Sequence, residues 1–520
     1  MKRLPFYLIA LACLGTSIVS CSKEEQYSNG EAPVFTASIE NNSKTSFDPN
    51  GAGLVWSSSD EQVAIYGTSG PSTYNVTPAT NPRQATLEIA ANQSAPGNGP
   101  YKAIYPVGIA TTSTIVTIPK VQTSVSGELT GYPMYAQTTG TSDLQLKFKN
   151  LCSVLKITMQ KANTYISKIQ IITDNYINGD FAVDITNNTQ PLTYDISYTG
   201  SNGRRDAKNH SKVTTLTFTD NNGNVSIASS HDFYVYLPAG TYNYFQIKVY
   251  DQNGDCFTRT TTSGITFNRS EYNYLTIPTS AINFKPGDLL GEFSVSATQK
   301  VSFSKGNLLQ SGSTYKFADL QYNKTEDGYT YLFNWHSNSS SQTMNERGAN
   351  PISNGGNTAN MWRTLTQSEW GYLLKYNGGR PYSWRWAQVQ VNSIGGMIIF
   401  PDAFNWPLDD SKIPANLNQN ATTAWNGQNY SLDEWSTLEA CGCVFLPITG
   451  YHSSSSFDPS SVSQTDYGYY WSSSPQDNSS RNYQAYYTRF NATSATFVAG
   501  NTNYWSINNM LAIRLVKDVQ

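Results

Sequence analysis

From residue 33 to residue 280, apolar and polar positions alternate in short runs that recur roughly every ten to fifteen residues. Phe35, Ala37 and Ile39 alternate with Thr36, Ser38 and Glu40. Leu144, Leu146 and Phe148 alternate with Gln145, Lys147 and Lys149, and Phe245, Ile247 and Val249 with Gln246 and Lys248. A period of two is the pattern of strands with one face in a core. Glycine-bearing turn signals separate the runs, among them Pro96-Gly97-Asn98-Gly99, Asn178-Gly179 and Asn253-Gly254. The pattern restarts after the small polar stretch Thr138 to Ser142. The spacing therefore predicts two all-β domains, each a sandwich or a barrel, at 33–141 and 142–280, followed by a linker at 281–288 around Lys285-Pro286-Gly287.

Beyond residue 288 the pattern changes. Thr366-Gln367-Ser368-Glu369 and Ser431-Leu432-Asp433-Glu434 are capping boxes, in which a hydroxyl and a carboxylate reciprocally satisfy amides at a helix start. Trp370, Leu373 and Leu374 follow the first at helical spacing, Trp435, Leu438 and Ala440 the second. Val444 to Ile448, Tyr469 to Trp471 and Leu511 to Val516 read as strands. Residues 289–520 are thus expected to form an α+β domain, and the whole chain to be mainly β.

Composition narrows the function. Of 520 residues 13% are aromatic and 14% charged, with a net charge of -3. No basic excess is available to hold a phosphate backbone, so nucleic acid is not an expected partner. Disordered chains have the opposite composition. Of the 11 Trp residues only Trp56 precedes residue 330. The four cysteines after Cys21 (Cys152, Cys256, Cys441 and Cys443) lack the paired spacing of a zinc site, and no cofactor, Walker, HExxH or GxSxG motif occurs. Neither an enzyme nor a resident cofactor is expected.

The first twenty residues are a secretory signal: Lys2 and Arg3, an apolar stretch, then Ile18-Val19-Ser20-Cys21. This last tetrad resembles a bacterial lipobox, which implies lipidation of Cys21 and a lipidated linker over 21–32. Acylation by several chains suffices for stable attachment to the outer membrane. Loss of Lys2 and Arg3 leaves 32 basic against 37 acidic residues. Ser22-Lys23-Glu24-Glu25 resembles the surface-export tag of Bacteroidetes lipoproteins.

Two family resemblances follow. Phe35-Thr36-Ala37-Ser38-Ile39, Trp56, Glu61 to Tyr66, Leu146 to Ile157, Tyr236-Leu237-Pro238-Ala239-Gly240 and Tyr272 to Ile277 resemble Bacteroidetes fimbrillin-like proteins across residues 33–280. The resemblance implies two transthyretin-like β-sandwich domains and a role as pilin or surface lipoprotein. In pilin members a protease cuts after a basic residue beyond the first strand, and a neighbour's strand fills the groove. The nearest basic residue here is Lys44, where the family usually has arginine. Val301 to Leu308, Trp362 to Thr366 with Glu369-Trp370, Gly468 to Ser474 and Ile513 to Lys517 resemble the C-type-lectin-like superfamily, in the paralogous branch of Bacteroidetes and Fibrobacter. The calcium-binding loop of C-type lectins is absent, Phe400-Pro401-Asp402 being its nearest counterpart, and Cys441/Cys443 do not match the reactive pair of formylglycine-generating enzymes.

What remains for the head is aromatic recognition. Tyr382, Trp384, Trp386, Trp406 and Trp425 fall between the two helices, and flat rings stack on sugars or anchor protein contacts. Trp370, Trp435 and Trp471 are expected to be scaffold. The sequence is read as a surface lipoprotein of the outer membrane serving as a minor or tip fimbrial subunit or adhesin. Its expected partners are other subunits, through strand addition, and a host or microbial surface glycan or protein. The alternative is a non-polymerising glycan-binding lipoprotein of a polysaccharide-uptake system.

Overall fold

The structure, a computed structural model, describes residues 32–40, 55–56, 61–124, 131–194, 210–219, 222–335, 349–374, 383–415, 417–419, 424–453, 458–463, 465–476, 484–492, 495–496 and 504–519. The chain is mainly β, and the two α-helices described below lie in its last part.

The first body takes the barrel that the alternation allows, where the fimbrillin resemblance implies a sandwich. Its sheet closes on itself in the order Phe35–Ile39, Gln145–Asn150, Met134–Gln137, Lys102–Tyr105, Gln62–Gly67, Gly70–Pro78, Gln84–Ile89. Alternation sets the inward face: Phe35, Ala37 and Ile39 are buried, as are Leu146 and Phe148 on the adjacent strand. Trp56 packs edge-on against Phe148 and Tyr105, with ring centres 5.5 and 5.2 Å apart. The predicted boundary at residue 142 is therefore too early. Residues 138–142 form a turn inside the barrel, and Gln145–Asn150 completes it by pairing with both Phe35–Ile39 and Met134–Gln137. A hairpin turn and a linker share the same small polar composition, so the pattern could not separate them.

The second body begins with Cys152–Met159, which pairs with His231–Pro238 and Tyr272–Ile277. A second sheet runs Cys256–Thr261, Phe245–Asp251, Tyr165–Thr173, Val213–Phe218, Val121–Ser124. Ile157 and Phe233 from the first sheet meet Ile169, Ile171, Ile247 and Val249 from the other in one core. The two bodies are not independent. Val121–Ser124 lies parallel to Val213–Phe218, and Ile115–Ile118 pairs with Gly179–Val183. The linker is also tied at both ends: the Lys285 amide donates to the Cys256 carbonyl (2.9 Å) and the Lys305 amide to that of Gly287 (2.8 Å).

In the head, the helices Gln367–Leu374 and Leu432–Ala440 stand where the capping boxes placed them. Both boxes are closed. The Glu434 amide donates to the Ser431 hydroxyl (3.2 Å) while the Ser431 amide donates to the Glu434 carboxylate (2.8 Å). Thr366 and Glu369 do the same at 3.2 and 2.7 Å. Leu515–Asp518 is an interior strand, held between Lys300–Phe303 and Arg363–Thr364. Among the described residues no helix is long and apolar enough to cross a membrane.

Candidate functional site

Two places were candidates from sequence: the anchor and first strand, and the tryptophans. Cys21, Lys44 and Tyr382 lie outside the described residues. The strand that precedes Lys44 is well placed. Phe35–Ile39 is hydrogen-bonded along both edges, parallel to Gln145–Asn150 and antiparallel to Gln84–Ile89. Its end is fastened to the second body. The Glu40 carboxylate takes both terminal nitrogens of the Arg269 guanidinium, one at 3.3 Å and the other closer. It also accepts from the Asn150 amide (2.8 Å) and the Ser270 hydroxyl (3.2 Å). Arg269 in turn donates to the carbonyls of Asn150 (3.0 Å) and Asn188 (2.8 Å).

The tryptophans divide. Trp386 and Trp406 are buried, and their indole N–H groups donate to the carbonyls of Leu374 and Asp409, both at 2.9 Å. A ring with no accessible face cannot stack on a ligand, so these two are core residues and the sequence expectation for them is corrected. Trp335, Trp362 and Trp471 follow the same rule, each donating to a backbone carbonyl at 2.8 Å. Trp370 and Trp435 are buried as expected. Trp384 and Trp425 are half-buried. Trp384 lies flat on Trp406, with ring centres 5.2 Å apart and planes 11° apart. Trp425 covers Gly395, where a Cβ atom would come within 2.1 Å of its ring. Trp384 and Trp406 therefore brace one aromatic cluster, which also contains Phe400, Phe404 and Tyr430.

That cluster leads to a cleft that the sequence did not mark. The outer face of the second body's larger sheet meets the head at a small apolar contact, in which Ile172, Val213 and Tyr244 pack on Ala440 and Cys441. Polar ties surround it. The Lys212 amide donates to the Pro407 carbonyl (2.9 Å) and its ammonium to Asn405 (3.3 Å), and Lys120 pairs with Asp433 at 3.4 Å. Beside this contact opens a cleft of about 490 Å³, walled by Tyr244, Gln246 and Lys248 on the sheet and by Pro401, Phe404 and Asn405 on the head. Cys441 reaches it, and Lys300, Glu292 and Asp402 stand along it. Lys300 is 2.9 Å from Glu292 and 3.9 Å from Asp402. Lys248 occupies a polar position of its strand, which alternation assigns to solvent. It is 3% exposed because the head covers it. Only a register of sheet against head, which no local pattern encodes, could have found it.

The cysteine pair forms no disulfide. Burial pushes the Cys441 thiol up to about 12 and that of Cys443 well above its ordinary value. Such thiols stay protonated, the opposite of a nucleophile. Among the described residues no group of three or more His, Cys, Asp or Glu side chains is placed to hold a metal ion.

No family model matches the chain, and no curated protein matches it. Among solved structures it is similar to a candidate cell adhesion protein from Bacteroides ovatus, at 11% identity and a TM-score of 0.30, over 48% of this chain and 94% of that one. A candidate cell adhesion protein from Bacteroides uniformis gives 11% identity and 0.28 over the same shares, 48% and 94%. A fimbrial assembly protein from Parabacteroides distasonis gives 8% and 0.25, over 53% and 96%. Likeness at this level carries no functional argument.

Proposed function

We propose that this protein is a surface-displayed adhesin: two β bodies act as a stalk, and residues 289–520 form a C-type-lectin-like head that meets the ligand. Within that reading it is a lipoprotein anchored through Cys21 and a minor or tip subunit of a fimbria, with no catalytic step. The observation that carries it is the setting of Phe35–Ile39. This strand contributes three buried side chains to a closed sheet and is followed at once by the Glu40 clasp and then by Lys44. Its removal leaves a groove with unpaired edges on both sides, the template that β-strand addition requires. The interior position of Leu515–Asp518 commits that strand to its own sheet rather than to a neighbour.

Native pulldown from the cell surface tests the reading. The protein is expected with other fimbrial subunits and with its chain beginning after Lys44. Recovery alone, with residues 21–44 intact, would overturn the fimbrial assignment and favour the non-polymerising alternative.

A further inference from the structure

We infer that the cleft between the second body and the head binds a carboxylate-bearing saccharide, with the Lys248 ammonium as its anchor. This rests on the reading of the head as the ligand-meeting end and names the ligand class and the place.

The first observation is the charge. Lys248 is 3% exposed and walls the cleft. Among the described residues no carboxylate and no hydrogen-bond acceptor is placed on its ammonium. The ionisable groups that sense its charge are the thiols of Cys256, Cys441 and Cys443, which burial keeps protonated. Gln170, directly opposite Lys248 on the neighbouring strand, also has its side-chain oxygen buried without a partner. An arriving carboxylate gives the Lys248 ammonium a charge-assisted hydrogen bond that no described residue supplies.

The second observation is the wall chemistry. Of the two lysines that line the cleft, Lys300 is matched by Glu292 and Asp402, and Lys248 is not matched by a carboxylate among the described residues. One such charge beside two carboxylates suits a monoanion and disfavours a phosphate dianion. Tyr244 and Phe404 are half-buried rings that give the cleft apolar faces, and Phe404 is held by Trp384 and Phe400 at 5.4 and 4.9 Å. Gln246 and Asn405 each spend one amide atom locally, on Thr260 (2.9 Å) and Lys212 (3.3 Å). That leaves the Gln246 oxygen as an acceptor and the Asn405 nitrogen as a donor for hydroxyl groups. A cavity of about 490 Å³ is within the range of small-ligand sites. A single charge, ring faces and neutral amides are what an acidic sugar requires.

The carboxylate could belong to a sialic acid or to a uronic acid, and the test separates the two. Full-length mature protein is titrated calorimetrically with 3′-sialyllactose, trigalacturonate and, as the neutral comparison, lactose. One acidic sugar is expected to bind at least about tenfold more tightly than lactose. Lys248→Gln should abolish that preference while leaving the fold intact by circular dichroism. Phe404→Ala should weaken the same ligand about tenfold or more. Three results would overturn the inference: no acidic sugar bound at millimolar concentration, lactose bound equally well, or Lys248→Gln binding as the native protein does. A chain that co-purifies with fimbrial subunits yet binds no acidic sugar refutes this inference alone. One that binds the sugar through Lys248 but is found without fimbrial partners refutes only the fimbrial assignment.

Discussion

Glu40 and Arg269 form a two-pronged ion pair across 229 residues of sequence, joining the end of the first strand to the second body. Both side chains are largely covered, at 19% and 12% exposure, and they bond in addition to Asn150, Asn188 and Ser270. Removing one member of such a pair strands the other, which costs more than a surface ion pair returns. Arg269→Ala is expected to destabilise the first body by about 2–4 kcal/mol, measured by urea unfolding. Glu40→Gln, which keeps hydrogen bonds and removes charge, should cost about half of that. If strand release limits assembly, both variants should also speed loss of the residue 21–44 peptide after cleavage. An unchanged release rate with lowered stability would separate the clasp from assembly.

Arg363 sits between two carboxylates, 2.7 Å from Glu369 and 2.7 Å from Asp518. Hydrogen bonding from Arg363 holds the Asp518 carboxyl below its ordinary value of 3.8, against burial, which acts in the other direction. A group whose pKa is depressed on folding contributes stability fully above its unfolded value, and that contribution disappears as pH falls through the folded one. Asp518→Asn should therefore lower head stability at pH 7 by up to about 1 kcal/mol, since Asp518 is half exposed. The gap between native and variant melting temperatures should close below pH 3.8. A gap that does not narrow as pH falls below 3.8 would show that packing, not charge, is what the aspartate supplies.

Local patterns carried much of the fold. Alternation at Phe35, Ala37 and Ile39 and the two capping boxes specify structure through neighbours within four residues, and they were legible. The residue 142 boundary was not, because what distinguishes a turn from a linker there is the partner strand Phe35–Ile39, over a hundred positions away. Trp406 failed for a related reason. Its indole N–H is satisfied by Asp409, three residues on, a loop geometry that no periodicity announces. Lys248 is the clearest case: a lysine at an outward strand position reads as solvated until another domain closes over it.

The caps give a direct check on how much local signals contribute. Ser431→Ala removes the acceptor for the Glu434 amide and opens the box that starts Leu432–Ala440. The expected loss is about 1 kcal/mol in head stability, recovered largely by Ser431→Asp. Trp406→Ala, which empties a core position 5% exposed, should cost about 3–5 kcal/mol in the same urea titration. An alanine at 406 that costs no more than the cap would contradict its assignment to the core.

Gly395 and Trp425 offer a sharper test, because one contact is isolated. The three atoms nearest a Cβ placed on Gly395 all belong to the Trp425 ring, at 2.1, 2.5 and 2.6 Å. Trp425 cannot yield easily. Its amide donates to the Ala492 carbonyl (3.1 Å), and its backbone sits in the left-handed region at φ 55°, a conformation costing about 1–2 kcal/mol that the contact over Gly395 helps to offset. Gly395→Ala should expel the ring, destabilise the head by about 1–3 kcal/mol and shift its tryptophan fluorescence to longer wavelength. With Trp425→Ala already in place the three atoms nearest the new methyl are gone, so Gly395→Ala should then cost about 0.5 kcal/mol or less. Additive losses in the double variant would mean that the strand Ile394–Ile399, rather than the tryptophan above it, is what requires glycine.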